Sequence, residues 1–357
     1  MKQKSREVKK NMHASRFLAL LFGFIGTACL FLMILVIVID PFFHYHAPLT
    51  GFPYKINDQL SQNPGLARHT KYNAVSLGSS VTTDYHISWF RELFDLDAVK
   101  LPYNGAYPKD IVNAMEQVDK SNNKIKAVFI GVDAASYSAD ISEIKYPLPE
   151  YLYDDDPFND VSYLFNKDVL LEYIAKPLFK PLLRPNAEPD DPLDYYSNYR
   201  NLIYGEEMVN RSFTLQDSID PVMDPELVRE PIEKNWETNI KPMIEEHPDC
   251  MFYFYFPPRS ILYWCQACRK GLFDTYLFEE RFLTEHLLDY ENVQVHFIQN
   301  DAETITDLSH YTDETHFDQG TSYKVLKFIQ EGTYLATKEN YQVFLKDFET
   351  FVKNYKP

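Results

Sequence analysis

Short apolar runs alternating with stretches of helical spacing constrain this 357-residue chain more than any other feature. Residues 75–77, 99–101, 125–132, 251–256 and 293–298 are rich in Val, Ile, Phe and Tyr and end at Gly, Pro or polar residues, which marks them as strand candidates. Residues 88–94, 109–120, 226–246, 272–290 and 339–355 are helix candidates. Ile111, Ala114, Met115 and Val118 recur at helical spacing, and Tyr341, Phe344, Phe348, Phe351 and Val352 are spaced for one apolar face. Asp318 is a plausible N-cap for a further helix through Ile329. Strands alternating with helices predict an α/β fold built on a parallel sheet.

The alternation lapses between residues 134 and 225. This stretch is rich in Tyr, Asp and Pro and offers only short helical candidates such as 169–174. A long irregular insertion in a compact domain is either a lid or binding surface, or an excursion that packs on its own aromatics. Residues 40–66, punctuated by Pro41, Pro48, Pro53 and Pro64, read as a connector.

Residues 17–39 carry no charge and are nearly all apolar, long enough to cross a bilayer as one helix. Lys2, Lys4, Arg6, Lys9, Lys10 and Arg16 precede them against Glu7 alone, so this basic tail is expected on the cytoplasmic side. A cleaved signal peptide would have a shorter apolar core and a small-residue cleavage site. A lipoprotein reading would use Cys29, but ten apolar residues follow it. The expected layout is a cytoplasmic tail at 1–16, a membrane span at 17–39, a juxtamembrane connector at 40–66 and an extracytoplasmic α/β domain at 67–357.

The chain carries a net charge of −17, and since its first sixteen residues are basic, the remainder is more acidic still. That balance argues against nucleic acid and against docking on anionic headgroups. Of the four cysteines, Cys265 and Cys268 form a lone C-x-x-C with Cys250 nearby. Outside the cytoplasm they could pair as a disulfide, whereas a zinc site would need a second ligand pair that the spacing does not supply. His44-x-His46 is the one other metal-like spacing.

Polar groups stand where the strand candidates end. The first delivers Gly78-Ser79-Ser80, the second Asn104-Gly105 and the third Gly131-Val132-Asp133, and Asp313-Glu-Thr-His316 lies just before the helix that Asp318 would cap. Serine becomes a competent nucleophile when a base takes its proton, and a carboxylate fixes the tautomer of that base. Asp307 and His310 form a competing Asp-x-x-His. His316 is preferred because an N-cap and a helix follow it. Tyr255, Arg259, Tyr263 and Trp264, after the fourth strand candidate, are candidates to line a pocket or to fill core and rim.

In this order the blocks resemble those of the SGNH/GDSL hydrolase superfamily, especially its membrane-anchored branch that includes the teichoic-acid D-alanylation and alginate acetylation proteins. The resemblance covers roughly residues 70–133 and 250–330. It implies a flavodoxin-like, three-layer parallel sheet with a long insertion. It also implies Ser80 as nucleophile, His316 as base and Asp313 as its orienter. Gly105, with Asn104 before it, matches the second-block oxyanion donor. The third block is normally Gly-x-Asn, and here Asp133 replaces the Asn. An ionised carboxylate cannot donate a hydrogen bond and would repel an oxyanion.

The resemblance implies a membrane-anchored serine esterase or O-acyltransferase of cell-envelope glycans, working through an acyl-serine. It implies no cofactor and no metal. Its partners would be a cell-surface glycan or acyl carrier and a multispanning membrane acyltransferase. The alternative is a surface protein of the same fold that binds glycan, or scaffolds an acylation complex, without turnover.

Overall fold

Five parallel strands carry the fold. The computed structural model describes residues 2–133, 135–183, 191–197 and 199–357, with side chains from Ser15 onward. The basic side chains expected on the tail before Ser15 lie outside the described residues. An apolar helix, α1 (Lys2–Ile39), comes first. Then follow α2 (Gln59–His69), β1 (Ala74–Leu77), α3 (Ser88–Phe94), β2 (Ala98–Lys100), α4 (Pro108–Asp119) and β3 (Ala127–Gly131). The middle stretch holds α5 (Val161–Leu164), a π-helical turn at Val169–Ala175, α6 (Lys176–Leu183) and α7 (Glu206–Ser212). Next come α8 (Arg229–Asn235), α9 (Lys241–Glu245), β4 (Met251–Tyr255), α10 (Ile261–Arg269), α11 (Phe273–Leu287) and β5 (Val293–His296). The chain continues through α12 (Ala302–Thr306), α13 (Gln319–Glu331) and α14 (Tyr341–Asn354).

The strand order is β2-β1-β3-β4-β5 and every pairing is parallel. This is the flavodoxin-like doubly wound order, in which the direction of winding reverses between β1 and β3. Side chains alternate between the faces of a strand. On one face Ala74, Ala127, Phe129 and Tyr255 pack with Phe90 of α3 and with Val325, Leu326 and Ile329 of α13. Val75, Leu77, Val128, Ile130, Phe252 and Val295, of opposite parity, are equally inaccessible. The sheet is therefore covered on both faces, as all-parallel sheets are.

The chain forms two compact units. The larger, Ile56–Pro149 with Asp190–Pro357, contains the sheet. The smaller, Met1–Lys55 with Glu150–Pro189, is built on the end of α1, where Val36, Ile39 and Phe42 pack with Tyr163, Leu164, Val169 and Ile174. Asp40, fully buried, accepts hydrogen bonds from the backbone N–H groups of His44 (2.9 Å), Tyr45 (2.7 Å) and His46 (2.9 Å) and from the Tyr163 hydroxyl (2.8 Å). Burial raises the pKa of its carboxyl despite those four donors.

The expected 40–66 connector is thus not one element. Residues 40–55 belong to the smaller unit, and the buried Pro64 sits inside α2 rather than breaking the chain. The 134–225 insertion likewise divides, 150–189 going to the smaller unit and the stretches up to 149 and from 190 to the larger, while 134, 184–190 and 198 lie outside the described residues. The expected helix at 226–246 is interrupted by a π-helical turn at Trp236–Ile240, separated by one residue from Pro242, which has no N–H to donate. In α14 the buried stripe is Tyr341, Leu345, Phe348 and Val352, so Phe344 and Phe351 flank the face they were expected to share. All four cysteines are free, so Cys265 and Cys268 form no disulfide.

Phe129 holds the centre of the sheet. Its ring stacks on Tyr253 at 4.7 Å and meets Phe90 and Phe94 edge-on at 5.0 and 4.9 Å. Phe129→Ala is expected to cost about 3–5 kcal/mol in urea unfolding, while Val343→Ala, on the exposed side of α14, leaves the midpoint nearly unchanged.

Candidate functional site

The site forms at the carboxyl ends of the neighbouring strands β1 and β3, where the winding reverses, the place where open α/β sheets bind ligands. β1 ends at Leu77, and Gly78 turns the chain with φ +141°. A Cβ on Gly78 would lie 2.7 Å from Thr82 Cγ2, and one on Gly131 would lie 2.9 Å from the same methyl. Only glycine fits at both points, so Thr82 nests between the two strand ends. Ser80 opens the short 3-10 turn Ser80–Thr82, tightened by Thr82 Oγ1 donating to the Ser79 carbonyl (2.8 Å).

The structure brings Ser80, His316 and Asp313 together across 236 positions of sequence. Ser80 Oγ lies 2.7 Å from His316 Nε2, and His316 Nδ1 lies 2.8 Å from Asp313 Oδ2. An ionised carboxylate only accepts, so Nδ1 carries the proton and Nε2 is left to accept from the serine hydroxyl. Asp313 Oδ1 also accepts from the backbone N–H groups of Thr315 (2.8 Å) and His316 (2.7 Å). Asp313 thereby caps its own turn and aims its carboxylate at the imidazole three residues on. Burial disfavours the ionised carboxylate, but the His316 hydrogen bond and charge, with those two N–H groups, hold Asp313 below its ordinary range. Burial also depresses His316, yet the Asp313 hydrogen bond and charge leave its pKa raised.

The neighbouring loop after β4 pins this turn. Ser260 donates to the Glu314 carbonyl through both N–H (3.1 Å) and Oγ (2.8 Å), and the Tyr311 hydroxyl donates to the Pro258 carbonyl (2.6 Å). The competing His310 stands apart, half-exposed, with Nδ1 2.8 Å from Asp318, the N-cap of α13.

Asn104 and Gly105 occupy the centre of a turn closed by Ala106 N–H donating to the Tyr103 carbonyl (2.9 Å), with Gly105 at φ +71°. Tyr103 N–H in turn donates to the Gly78 carbonyl (3.0 Å), tying this turn to the one that carries Ser80. Asn104 is engaged by Gln59 of α2, which donates to its Oδ1 (3.1 Å) and accepts from its N–H (2.9 Å). Asp133 forms a buried ion pair with Arg259, whose guanidinium lies 4.5 Å from the centre of the Tyr263 ring. Tyr255, the last residue of β4, and Trp264 of α10 are core: the Tyr255 hydroxyl accepts from Tyr85 (2.8 Å), and Trp264 meets Phe348 edge-on. His44 pairs with Asp160, and His46 with the Ile37 carbonyl, in the smaller unit. No group of three or more His, Cys, Asp or Glu that could hold a metal occurs among the described residues.

Several neighbours of the site carry no motif. Asp84, which accepts from Ser197 Oγ (2.7 Å), raises the His316 pKa by its charge, while the Arg259 charge lowers it. Lys100 at the end of β2 is fully buried, donates to the Thr83 carbonyl (2.7 Å) and is pushed down by burial to about 7. From the insertion, Gly205 N–H donates to the Tyr311 carbonyl (2.9 Å), and Val209 packs with Val81, Tyr311 and Phe317. Beside Gly205, the Tyr204 hydroxyl is buried without a hydrogen-bond partner among the described residues, near the charges of Asp84, Asp318 and Asp313. Length and composition alone could not show that this part of the insertion meets the Asp313–His316 turn. A cleft of about 290 Å³ lined by Cys268, Arg269, Phe273 and Lys353 lies elsewhere, and none of Ser80, Asn104, Gly105, Asp133, Asp313 or His316 lines it.

No protein-family model and no curated protein matches the chain. Among solved structures it is similar to one from Streptococcus pneumonia, described provisionally as a platelet activating factor. That match has a TM-score of 0.39 and 11% identity, and covers 77% of this chain and 90% of the other. The α/β assignment rests on strand order and register and not on this likeness.

The Asp133–Arg259 pair makes a separable prediction. Arg259→Met strands a buried carboxylate and is expected to cost about 3–5 kcal/mol in urea unfolding. Adding Asp133→Asn to it should recover most of that loss, read as a positive coupling in the double-mutant cycle.

Proposed function

We propose that this chain is a membrane-anchored serine esterase or O-acyltransferase of the SGNH type, acting on acyl groups of cell-envelope glycans. One observation carries the reading: Ser80 Oγ 2.7 Å from His316 Nε2, with the opposite ring nitrogen 2.8 Å from Asp313. His316 takes the proton of Ser80 as the hydroxyl attacks an ester carbonyl. Asp313 holds the imidazole in the right tautomer and stabilises the imidazolium. The backbone N–H groups of Ser80 and Gly105 are the proposed oxyanion donors. The tetrahedral intermediate collapses to an acyl-serine, with His316 returning its proton to the leaving alcohol. Water or a sugar hydroxyl then releases the acyl group by the same steps in reverse.

The N-terminal apolar helix, with its 25-residue apolar stretch Ser15–Ile39, is the proposed anchor. The cytoplasmic tail, the extracytoplasmic placement of the sheet and the multispanning acyltransferase partner belong to the same proposal. A second reading, binding of glycan or scaffolding without turnover, is favoured by the Asp133–Arg259 pair, since Asp133 cannot serve as the third oxyanion donor.

A fluorophosphonate probe separates the two. The wild-type protein should be labelled and should release acetate from acetylated sugars, and Ser80→Ala should lose both. Labelling that survives Ser80→Ala removes the nucleophile assignment, and absence of labelling and of acetate release selects the binding reading. Asp313→Asn should lower kcat by about 10³-fold or more, by leaving His316 in the wrong tautomer.

The direction of the His316 shift sets the pH dependence. The base works neutral, and its pKa is raised above the ordinary imidazole value of 6.5. Hydrolysis should therefore fall on acidification with a midpoint above 6.5, as read from kcat/KM against pH.

A further inference from the structure

The smaller unit exposes a run of large apolar side chains that its own packing does not use. Leu178 and Leu182 stand four residues apart on one face of α6, with Phe179 and Leu183 beside them and Leu171 in the π-helical turn that precedes it. All five are exposed, Leu182 and Leu183 at 76% and 75%. Ile174 and Pro177, from the same stretch, are buried. Lys176, paired with Glu172 at 2.5 Å, and Lys180 are interleaved with the apolar residues. An apolar face of this kind on a short basic helix fits the boundary between headgroups and acyl chains.

The depth of this face follows from what grips α1. The apolar stretch Ser15–Ile39 rises about 37 Å as a helix, against about 30 Å of bilayer hydrocarbon. Its ends therefore stand in the polar boundary. Tyr163, Leu164, Val169 and Ile174 close around Val36 and Ile39, with Met33 and Leu35 partly covered. The grip thus begins about one and a half turns inside the end of the apolar stretch. The π-helical turn Val169–Ala175, part of that grip, runs directly into α6. Residues that pack this far down α1 stand at the boundary, and α6 continues from them.

We propose that the exposed face of α6, with Leu171 before it, is seated in the headgroup–acyl boundary of the leaflet from which α1 emerges. The smaller unit is then a lipid-embedded collar as well as the end of an anchor. This inference rests on the reading of α1 as a membrane anchor.

The test uses the full chain in vesicles of phosphatidylcholine and phosphatidylglycerol. An environment-sensitive fluorescent amino acid replaces one residue at a time: Leu178, Leu182, Ile37 in the span, or Val343 on the exposed side of α14. Quenching by lipids brominated near the headgroup end of the acyl chain should be comparable at positions 178, 182 and 37, and several-fold weaker at 343. Two collar positions guard against one failed replacement. Quenching at 37 without quenching at 178 and 182 overturns the collar and leaves the anchor standing. No quenching at 37 overturns the anchor, and the collar with it. Labels at 178 and 182 shielded from both brominated lipid and aqueous iodide would show a protein occupant, which also overturns the lipid assignment.

Discussion

The close approach of the ends of β1 and β3 around one threonine methyl is the constraint on which the site depends. Thr82 Cγ2 sits where a side chain on either Gly78 or Gly131 would have to be. The strand ends can approach Thr82 this closely because neither glycine carries a Cβ. That approach lets the backbone turn sharply after Leu77 and present Ser80 at the mouth of the sheet. The neighbouring strand ends are tied to the same point. Tyr103 N–H reaches the Gly78 carbonyl, and Val132 N–H reaches the Tyr255 carbonyl. A larger residue at Gly78 would meet both the steric limit and a φ of +141° that L-residues rarely adopt.

The Asp313–His316 turn lies far from Ser80 in sequence and is held in place by many small bonds. Ser260 and Pro258 fix it from the β4 loop, Gly205 and Val209 from the insertion, and Thr312 N–H donates to the His316 carbonyl (3.0 Å). Each such bond is worth only about 1 kcal/mol net. Together they leave the turn few alternative conformations, which is what a group that must meet another within hydrogen-bond distance requires. The part of the insertion at 204–213 is thus a wall of the site.

Where local chemistry decides an element, the residues announce it. The five strand candidates appear within two residues of their expected ends, and Asp318 caps α13 by accepting from Thr321 N–H (2.8 Å). Gly78-Ser79-Ser80 could be placed at a strand end because Val75 to Leu77 and the glycine are adjacent. Pro64 misled because a proline's punctuation value depends on whether the neighbouring turn can forgo one hydrogen bond, and α2 does so. The π-helical turn before Pro242 was unreadable for the same reason in reverse. Arg259 was visible only as one polar residue in an aromatic stretch. Its partner Asp133 lies 126 positions away, and no local pattern links them. The division of 134–225 between two units is likewise set by long-range packing, with Tyr163 on Asp40 in one and Val209 on Tyr311 in the other.

Asp133 gains a physical role from its pairing. Unpaired, its carboxylate would lack a compensating charge in a largely buried place. Bound to Arg259, it becomes half of a compensated dipole whose positive end also acts on His316. Four influences then meet on that imidazole. Burial and Arg259 favour its neutral form, whereas Asp313 and Asp84 favour the imidazolium. A general base is most useful when its pKa lies near the working pH, since a much weaker base will not take the proton and a much stronger one is already protonated. Without burial and Arg259, Asp313 and Asp84 would raise His316 further. The pairing with Asp133 holds a fixed positive charge against the upward pull of Asp313 and Asp84. The buried Glu279 and Glu280, raised to about 7 and about 8 chiefly by burial, reinforce the point. Burial thus disfavours charge on both, and Asp133 is the carboxylate that hydrogen-bonds Arg259.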